Sequence, residues 1–87
     1  MKKQFKIVLH KRAFKELRSL SSNIRDRIIK SLKEMELDPF RGDVKPLKGL
    51  KGAFRRRVGA FRIIFTIDFE EGVIVVLRIG SRERVYR

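Results

Sequence analysis

The residues best suited to chemistry are the arginines of the segment GAFRRRVGAFRII, residues 52–64. Arg55, Arg56 and Arg57 are consecutive, and Arg62 follows shortly after them. A guanidinium group keeps its charge at physiological pH and donates paired hydrogen bonds to phosphate oxygens. Arginine is not a favoured strand residue, yet the surrounding residues alternate as they do in a β-hairpin. The cluster therefore predicts a contact with a polyanion.

The turn inside this segment fixes the direction of each arginine. Val58-Gly59-Ala60-Phe61 predicts a two-residue turn of type II′, with glycine first, and such a turn sets the hairpin register. Arg57 then lies opposite Arg62, where two like charges repel by up to about 1 kcal/mol. Alternation places Arg55, Arg57 and Arg62 on one exposed face. The other face, packed on helices, takes the apolar residues Phe54, Val58, Phe61, Ile63, Phe65 and Ile67.

Arg56 has the opposite parity from its two neighbours and belongs to the core side of the hairpin. A long side chain on that side must extend past the edge of the sheet to keep its charge hydrated. We therefore predict that residues 53–58 form an edge strand and that Arg56 is structural or solvated.

The remaining elements suggest an α+β fold. Residues 5–9 alternate as a strand, and Phe14, Leu17 and Leu20 have helical spacing within Lys11–Leu20. After Ser21-Ser22-Asn23, a second helix carries one apolar stripe, Ile24, Ile28, Leu32 and Met35, and ends at Asp38-Pro39. Residues 39–52 are expected to be a basic loop, and Val73–Ile79 a central strand. The prediction is one domain, residues 1–87, with an N-terminal strand, an antiparallel helical hairpin and a three-stranded antiparallel meander. The strands form one mixed or antiparallel sheet packed on the helices.

The net charge of +13 and a pI near 11.2 favour nucleic acid or a ribonucleoprotein as partner. Residues 45–62 contain Lys45, Lys48, Lys51 and the four arginines but no acid. A charged content of 38% is also typical of proteins from heat-loving organisms. No secretory signal and no apolar run long enough for a bilayer are present, so a cytoplasmic protein without membrane contact is expected.

No metal or cofactor is expected, because no metal-ligand spacing occurs and cysteine is absent. The single histidine, His10, ends the first strand and is interpreted as structural or solvated. Asp68, Glu70 and Glu71 flank a predicted turn and are interpreted as solvated rather than as a Mg²⁺ site.

The motif Phe54-Arg55-x-Arg57-Val58-Gly59-x-Phe61-Arg62-Ile63-Ile64-Phe65 is followed by Leu77-Arg78-Ile79-Gly80-x-Arg82 and by Val85-Tyr86. This combination resembles the RelE/ParE toxin superfamily, and is most similar to RelE proteins of archaeal type. The strand, helical hairpin and basic loop before it match the same layout, so the resemblance covers essentially the whole chain.

The resemblance implies the toxin of a type II toxin–antitoxin pair that enters the ribosomal A site and cuts the mRNA there. The products would be a 2′,3′-cyclic phosphate and a 5′-hydroxyl. By position, the implied catalytic residues are Arg55, Arg57, Arg62, Arg82 and Tyr86. Candidates for binding RNA or rRNA are Lys45, Lys48, Lys51, Arg78 and Arg84. The implied partners are the ribosome, its mRNA and an acidic, largely helical RelB-like antitoxin, in a possible heterotetramer.

The general base of this reaction is open. The best-studied bacterial RelE pattern has lysines at the positions of Arg55 and Arg57, and arginine does not give up its proton. Ser81 stands where relatives often have His or Lys. Either Lys45, Lys48 or Lys51 is the base, or cleavage relies on positioning the RNA 2′-OH and stabilising the phosphorane charge, a role suited to Arg62 and Arg82.

Two other functions are open. A ParE-like toxin of the same fold would bind and poison DNA gyrase, which requires no phosphate-binding face. A non-catalytic RNA- or ribosome-binding module is the other alternative, although the hairpin phenylalanines are all predicted on the core side, where they cannot stack on bases.

Overall fold

The computed structural model describes residues 4–82. In chain order the elements are β1 (Lys6–Leu9), α1 (Lys11–Ser19), α2 (Ser22–Leu37), β2 (Asp43–Pro46), β3 (Ala53–Val58), β4 (Phe61–Asp68) and β5 (Val73–Ser81). The strands form one sheet in the order β1-β5-β4-β3-β2. Strand β1 is parallel to β5 and all other neighbours are antiparallel. The predicted α+β fold with a mixed sheet and a central β5 is confirmed, and the meander has one strand more than predicted.

The additional strand is β2, which lies inside the segment predicted as a loop. It pairs with β3, so the prediction that residues 53–58 form the edge of the sheet is wrong, and β2 is the edge. Asp43–Pro46 is short, with Val44 as its one aliphatic residue besides proline, so no alternation marks it as a strand. Proline is tolerated in such a strand because an edge leaves one row of N–H groups without a partner.

The core lies between the helices and one face of the sheet. Helix α2 contributes Ile28, Leu32 and Met35, as its stripe predicted. Helix α1 contributes Ala13 and Leu17, whereas Phe14, which the helical spacing grouped with Leu17, is 49% exposed. The small Ala13 side chain permits close packing of α1 on the sheet. The sheet contributes Ile63, Phe65, Ile74, Val76 and Ile79. Neither helix within residues 4–82 is long and apolar enough to cross a bilayer.

The β3–β4 hairpin has the predicted register. Val58 pairs with Phe61, Arg57 with Arg62, Arg56 with Ile63 and Phe54 with Phe65. Gly59 has a φ of +61° and Ala60 does not have a positive φ, as a type II′ turn requires. The turn and the alternation of the sequence therefore determine which face each arginine occupies.

Arg56 is buried between the sheet and α2, with 7% of its surface exposed. Its Nη2 lies 2.6 Å from Glu34 Oε1, and its Nη1 donates to the carbonyl of Ser31 at 3.3 Å. Gly42 packs against the guanidinium, since a Cβ atom at that position would lie 3.1 Å from Nη2. The structural interpretation of Arg56 is confirmed. The side chain does not extend past a sheet edge, however, but reaches the carboxylate of Glu34 on α2.

This contact makes the free energy of unfolding depend on pH in the acidic range. The hydrogen bond from Arg56, aided by its charge, holds the pKa of Glu34 below the ordinary value of 4.5. A carboxyl with a lowered folded pKa stabilises the protein fully above its unfolded pKa and loses that effect as the pH falls through the folded value. We expect the free energy of unfolding to fall below about pH 4.5, and to fall less in Arg56→Met. Urea unfolding of both proteins between neutral and acidic pH measures the difference, and parallel pH profiles would contradict it.

Candidate active site

The outer face of the sheet, opposite the core, carries the predicted arginines. Cross-strand partners share a face, so the pairings of Asp43 with Arg57 and of Arg57 with Arg62 place these three side chains in one row across β2, β3 and β4. In the next row Lys45 lies opposite Arg55. Four cations and one carboxylate are therefore concentrated on a few residues of three adjacent strands.

A cleft of about 500 Å³ opens over this face. It brings together Arg55 and Arg57 from β3, Arg62 from β4 and Arg82, which directly follows β5. The remaining wall is the segment Pro46–Leu47–Lys48 at the end of β2. Four of the five residues that the sequence suggested as catalytic thus line one cleft. The fifth, Tyr86, lies outside the described residues, as does Arg84.

Asp43 is a site residue that the sequence analysis missed. Its Oδ1 lies 3.3 Å from Arg55 Nη1, and its Oδ2 lies 3.2 Å from Arg57 Nε. It is the only acidic residue between positions 39 and 67, and this isolation is the one feature of the sequence that marks it as a site residue. That signal becomes interpretable only once β2 is known, because the register of β2 on β3 then places Asp43 directly opposite Arg57.

Arg62 and Arg82 differ from Arg55 and Arg57, the two arginines of β3 that line the cleft. Arg62 forms no ion pair with a carboxylate of residues 4–82, and its Nη1 has only a long contact of 3.5 Å with the carbonyl of Phe61. Arg82 lines the cleft and is exposed. The charge of Arg62 is therefore not neutralised by a carboxylate of the described chain and is available to an anionic ligand.

The other basic candidates are distributed unevenly. Lys48 lines the cleft, Lys45 shares the face of Arg55, and Lys51 is exposed in the β2–β3 turn outside the cleft lining. The guanidinium of Arg78 points to α1, where Glu16 accepts hydrogen bonds from its Nε at 3.2 Å and its Nη2 at 3.0 Å. Its contact with RNA stays a prediction, and the structure does not bring it into the cleft.

Glu16 on α1 binds both the side chain of Arg78 and the backbone of β5. Strand β1 pairs with β5 only as far as Val76, so the next part of β5 has no neighbouring strand on that side. Glu16 Oε1 accepts a hydrogen bond from the backbone N–H of Ile79 at 3.0 Å in addition to the contacts with Arg78. Helix α1 thus closes the open edge of β5, and this part of the basic surface serves the fold.

The residues interpreted as structural or solvated have local roles. His10 Nδ1 accepts a hydrogen bond from the backbone N–H of Arg12 at 3.1 Å and caps helix α1. Asp68 Oδ1 accepts from the N–H of Glu71 at 3.0 Å in the β4–β5 turn. The structural role predicted for His10 is confirmed, Asp68 stabilises the turn locally, and neither residue lines the cleft.

The cleft is suited to binding a phosphodiester and stabilising added negative charge. Several guanidinium groups converge on it, and each can donate hydrogen bonds to phosphate oxygens in pairs. Arginine does not accept a proton at neutral pH, so any proton acceptor among the described residues near the cleft is Lys48, Lys45 or Asp43.

Comparison with known proteins identifies close relatives. A family model described as the ParE toxin of the parDE type II toxin–antitoxin system matches residues 7–86. Toxin RelE1 of Methanocaldococcus jannaschii is 31% identical over 87 residues, 97% of either chain. The mRNA interferase toxin RelE of Escherichia coli is 32% identical over 75 residues, 84% of this chain and 78% of that protein.

Solved structures agree with these matches. The RelBE2 toxin–antitoxin complex of Mycobacterium tuberculosis contains a chain that superimposes with a TM-score of 0.80 at 27% identity, covering 91% of this chain and 99% of that one. The archaeal RelE–RelB complex of Pyrococcus horikoshii gives a TM-score of 0.79 at 27% identity, with coverage of 93% and 98%. The fold and the sequence thus point to the same group of proteins.

Proposed function

The chain belongs to the RelE/ParE toxin superfamily, and from this membership we propose that residues 1–87 act as a single toxin domain that cuts mRNA on the ribosome. The similar protein of Escherichia coli is named an mRNA interferase. The observation that carries the proposal for this chain is the cleft in which Arg55, Arg57, Arg62 and Arg82 converge. A protein that acts only by binding another protein has no need of such a phosphate-binding cleft.

In the proposed reaction the RNA supplies its own nucleophile. The 2′-oxygen bonds to the adjacent phosphorus, the bond from phosphorus to the 5′-oxygen breaks, and that oxygen takes up a proton as it leaves. A 2′,3′-cyclic phosphate and a 5′-hydroxyl result. The 2′-OH loses its proton to an acceptor, for which the candidates are Lys48, which lines the cleft, and Lys45, which lies opposite Arg55.

The arginines are proposed to orient the phosphate and to stabilise the charge that develops on it. Arg55 and Arg57 grip the scissile phosphate and orient it in line with the 2′-oxygen. Arg62 and Arg82 stabilise the extra negative charge on the phosphorane, which is larger than the charge on the starting phosphodiester. Tyr86 is proposed to orient a base or the ribose, and Lys51 and Arg84 to bind RNA around the cleft.

The proposed partner that controls this activity is a RelB-like antitoxin. The similar chains from Pyrococcus horikoshii and Mycobacterium tuberculosis were solved as complexes of toxin and antitoxin. A net charge of +13 favours an acidic partner. The proposed assembly is a heterotetramer of two toxins and two antitoxins. Because the substrate is mRNA on the ribosome, the proposed place of action is the cytoplasm.

The direct test is to map mRNA ends after adding the purified protein to ribosomes that are translating a defined message. We expect primer extension to show new 5′-ends within codons in the A site, and none on the same mRNA without ribosomes. A 2′,3′-cyclic phosphate at the end of the upstream fragment would support attack by the 2′-OH, because a metal-activated water would leave no cyclic product. If translation continues while DNA breaks accumulate in cells expressing the protein, the gyrase-poison alternative holds and the proposal is wrong.

A further inference from the structure

Asp43 places a negative charge beside the cleft, against two of the arginines that line it. Its two oxygens contact different arginines, Oδ1 at 3.3 Å from Arg55 Nη1 and Oδ2 at 3.2 Å from Arg57 Nε. These are two of the groups proposed to grip the RNA phosphate. An acid in this place lowers the attraction of the cleft for RNA unless it moves away when RNA binds.

The geometry of this contact resembles that of a bound phosphate. A carboxylate and a phosphodiester each present two anionic oxygens to neighbouring guanidinium groups, and both accept charge-assisted hydrogen bonds. Asp43 therefore occupies a hydrogen-bond donor of Arg55 and pairs with the charge of Arg57, both of which a phosphate would need. It also offsets the repulsion between these side chains and Arg62, so the empty cleft keeps its shape.

The surroundings of Asp43 allow the contact to open. The residue lies at the start of β2, which is the edge of the sheet, and 40% of its side chain is exposed. The Arg57 side chain is 54% exposed, so both groups of that ion pair can be hydrated when they separate. The pair with Arg57 is an exposed ion pair, a type that is weak, on the order of 1 kcal/mol or less, and that exchanges readily for a competing anion.

We propose that Asp43 is a displaceable counter-ion that holds Arg55 and Arg57 in the free protein and is replaced by a backbone phosphate of the RNA. This inference rests on the proposed function, because it assumes that RNA enters this cleft. Asp43 thereby acts as a positioning residue: it preorganises two phosphate-binding arginines and weakens the binding of RNA that cannot displace it.

The test compares Asp43→Asn with Glu70→Gln, a matched variant that makes the same change in net charge. Glu70 is exposed in the β4–β5 turn, at the far end of β4 from Arg62. The ligand is a short single-stranded RNA with 2′-O-methyl riboses, which lacks the nucleophile and cannot be cut. Its dissociation constant is measured by fluorescence anisotropy over a series of salt concentrations.

We expect Asp43→Asn to bind this RNA about fivefold more tightly than Glu70→Gln at low salt, since it frees donors in the cleft. The plot of log K against log salt should become steeper by about 0.7, the value for one additional phosphate contact on a single strand. Asp43→Glu keeps the charge and should restore the wild-type slope. A role in folding alone would change the thermal midpoint but not this slope.

Equal affinities and slopes for Asp43→Asn and Glu70→Gln would overturn the proposal. Tighter binding combined with loss of mRNA cutting on the ribosome would also overturn it, because Asp43 would then be the proton acceptor of the reaction. If wild-type protein cuts no mRNA while Asp43→Asn still binds RNA more tightly than Glu70→Gln, the counter-ion stands and the proposed function fails.

Discussion

Replacing Arg62 with alanine is expected to lower the rate of mRNA cutting on the ribosome by about 10²–10³-fold, the usual effect of removing one preorganised donor from a developing oxyanion. Arg62 lines the cleft and has no ion pair with a carboxylate of residues 4–82, so its whole charge is available to the phosphorane. The measurement is the single-turnover rate of cleavage of a programmed ribosomal complex at saturating toxin, which separates the chemical step from binding.

Two controls separate this contact from a general loss of positive charge. Arg12→Ala removes the same charge from an exposed position on α1, on the other side of the sheet, and should cut at close to the wild-type rate. Arg62→Lys keeps the charge but donates no paired hydrogen bonds, so an intermediate rate is expected. Equal losses in Arg62→Ala and Arg12→Ala would show that only the overall field matters.

Arg62→Ala should not lower the thermal stability of the protein. Arg62 lies directly opposite Arg57, and like charges at such positions destabilise a sheet by up to about 1 kcal/mol. Arg62→Ala is therefore expected to unfold at the same temperature as the wild type or slightly above it. A drop in the unfolding midpoint would mean that the activity loss reflects damage to the hairpin.

The arginine face could be predicted from the sequence because its causes are local. Gly59 permits the tight turn, the turn fixes the register, and a period of two assigns every residue of the hairpin to a face. Arg55, Arg57 and Arg62 are separated from Arg56 by these rules alone. No information from the remainder of the chain is needed.

What could not be predicted depends on contacts between distant segments. Strand β2 has little pattern of its own and exists because β3 offers it a pairing edge, and the role of Asp43 depends on that pairing. Arg56 and Glu34 are 22 residues apart, and Arg78 and Glu16 are 62 apart. Periodicity assigns a residue to a face, but it does not identify the partner that a long side chain will reach. Tyr86 and Arg84 lie outside the described residues and stay predictions.

The Arg56–Glu34 pair gives a second large effect, on stability. Glu34→Met should lower the unfolding midpoint by roughly 10 °C, because it leaves a buried guanidinium without its carboxylate. Arg56→Met should lower the midpoint by only about half as much. Glu34 is partly exposed and can be hydrated when Arg56 is gone, and methionine fills much of the space of the arginine stem. Thermal unfolding monitored by circular dichroism at neutral pH compares the variants.

The double variant decides whether charge burial is the cause. Arg56→Met/Glu34→Met should be more stable than Glu34→Met alone, since removing the stranded charge also removes the cost of burying it. Arg56 Nε is buried without a hydrogen-bond partner among the described residues, which adds to the cost of keeping a guanidinium there. Additive losses would show that each side chain contributes by packing alone. An unfolding midpoint of the double variant close to that of the wild type would show that the pair is dispensable for stability. It would also show that the chain can pass through Gly42 without the guanidinium of Arg56 packed against it.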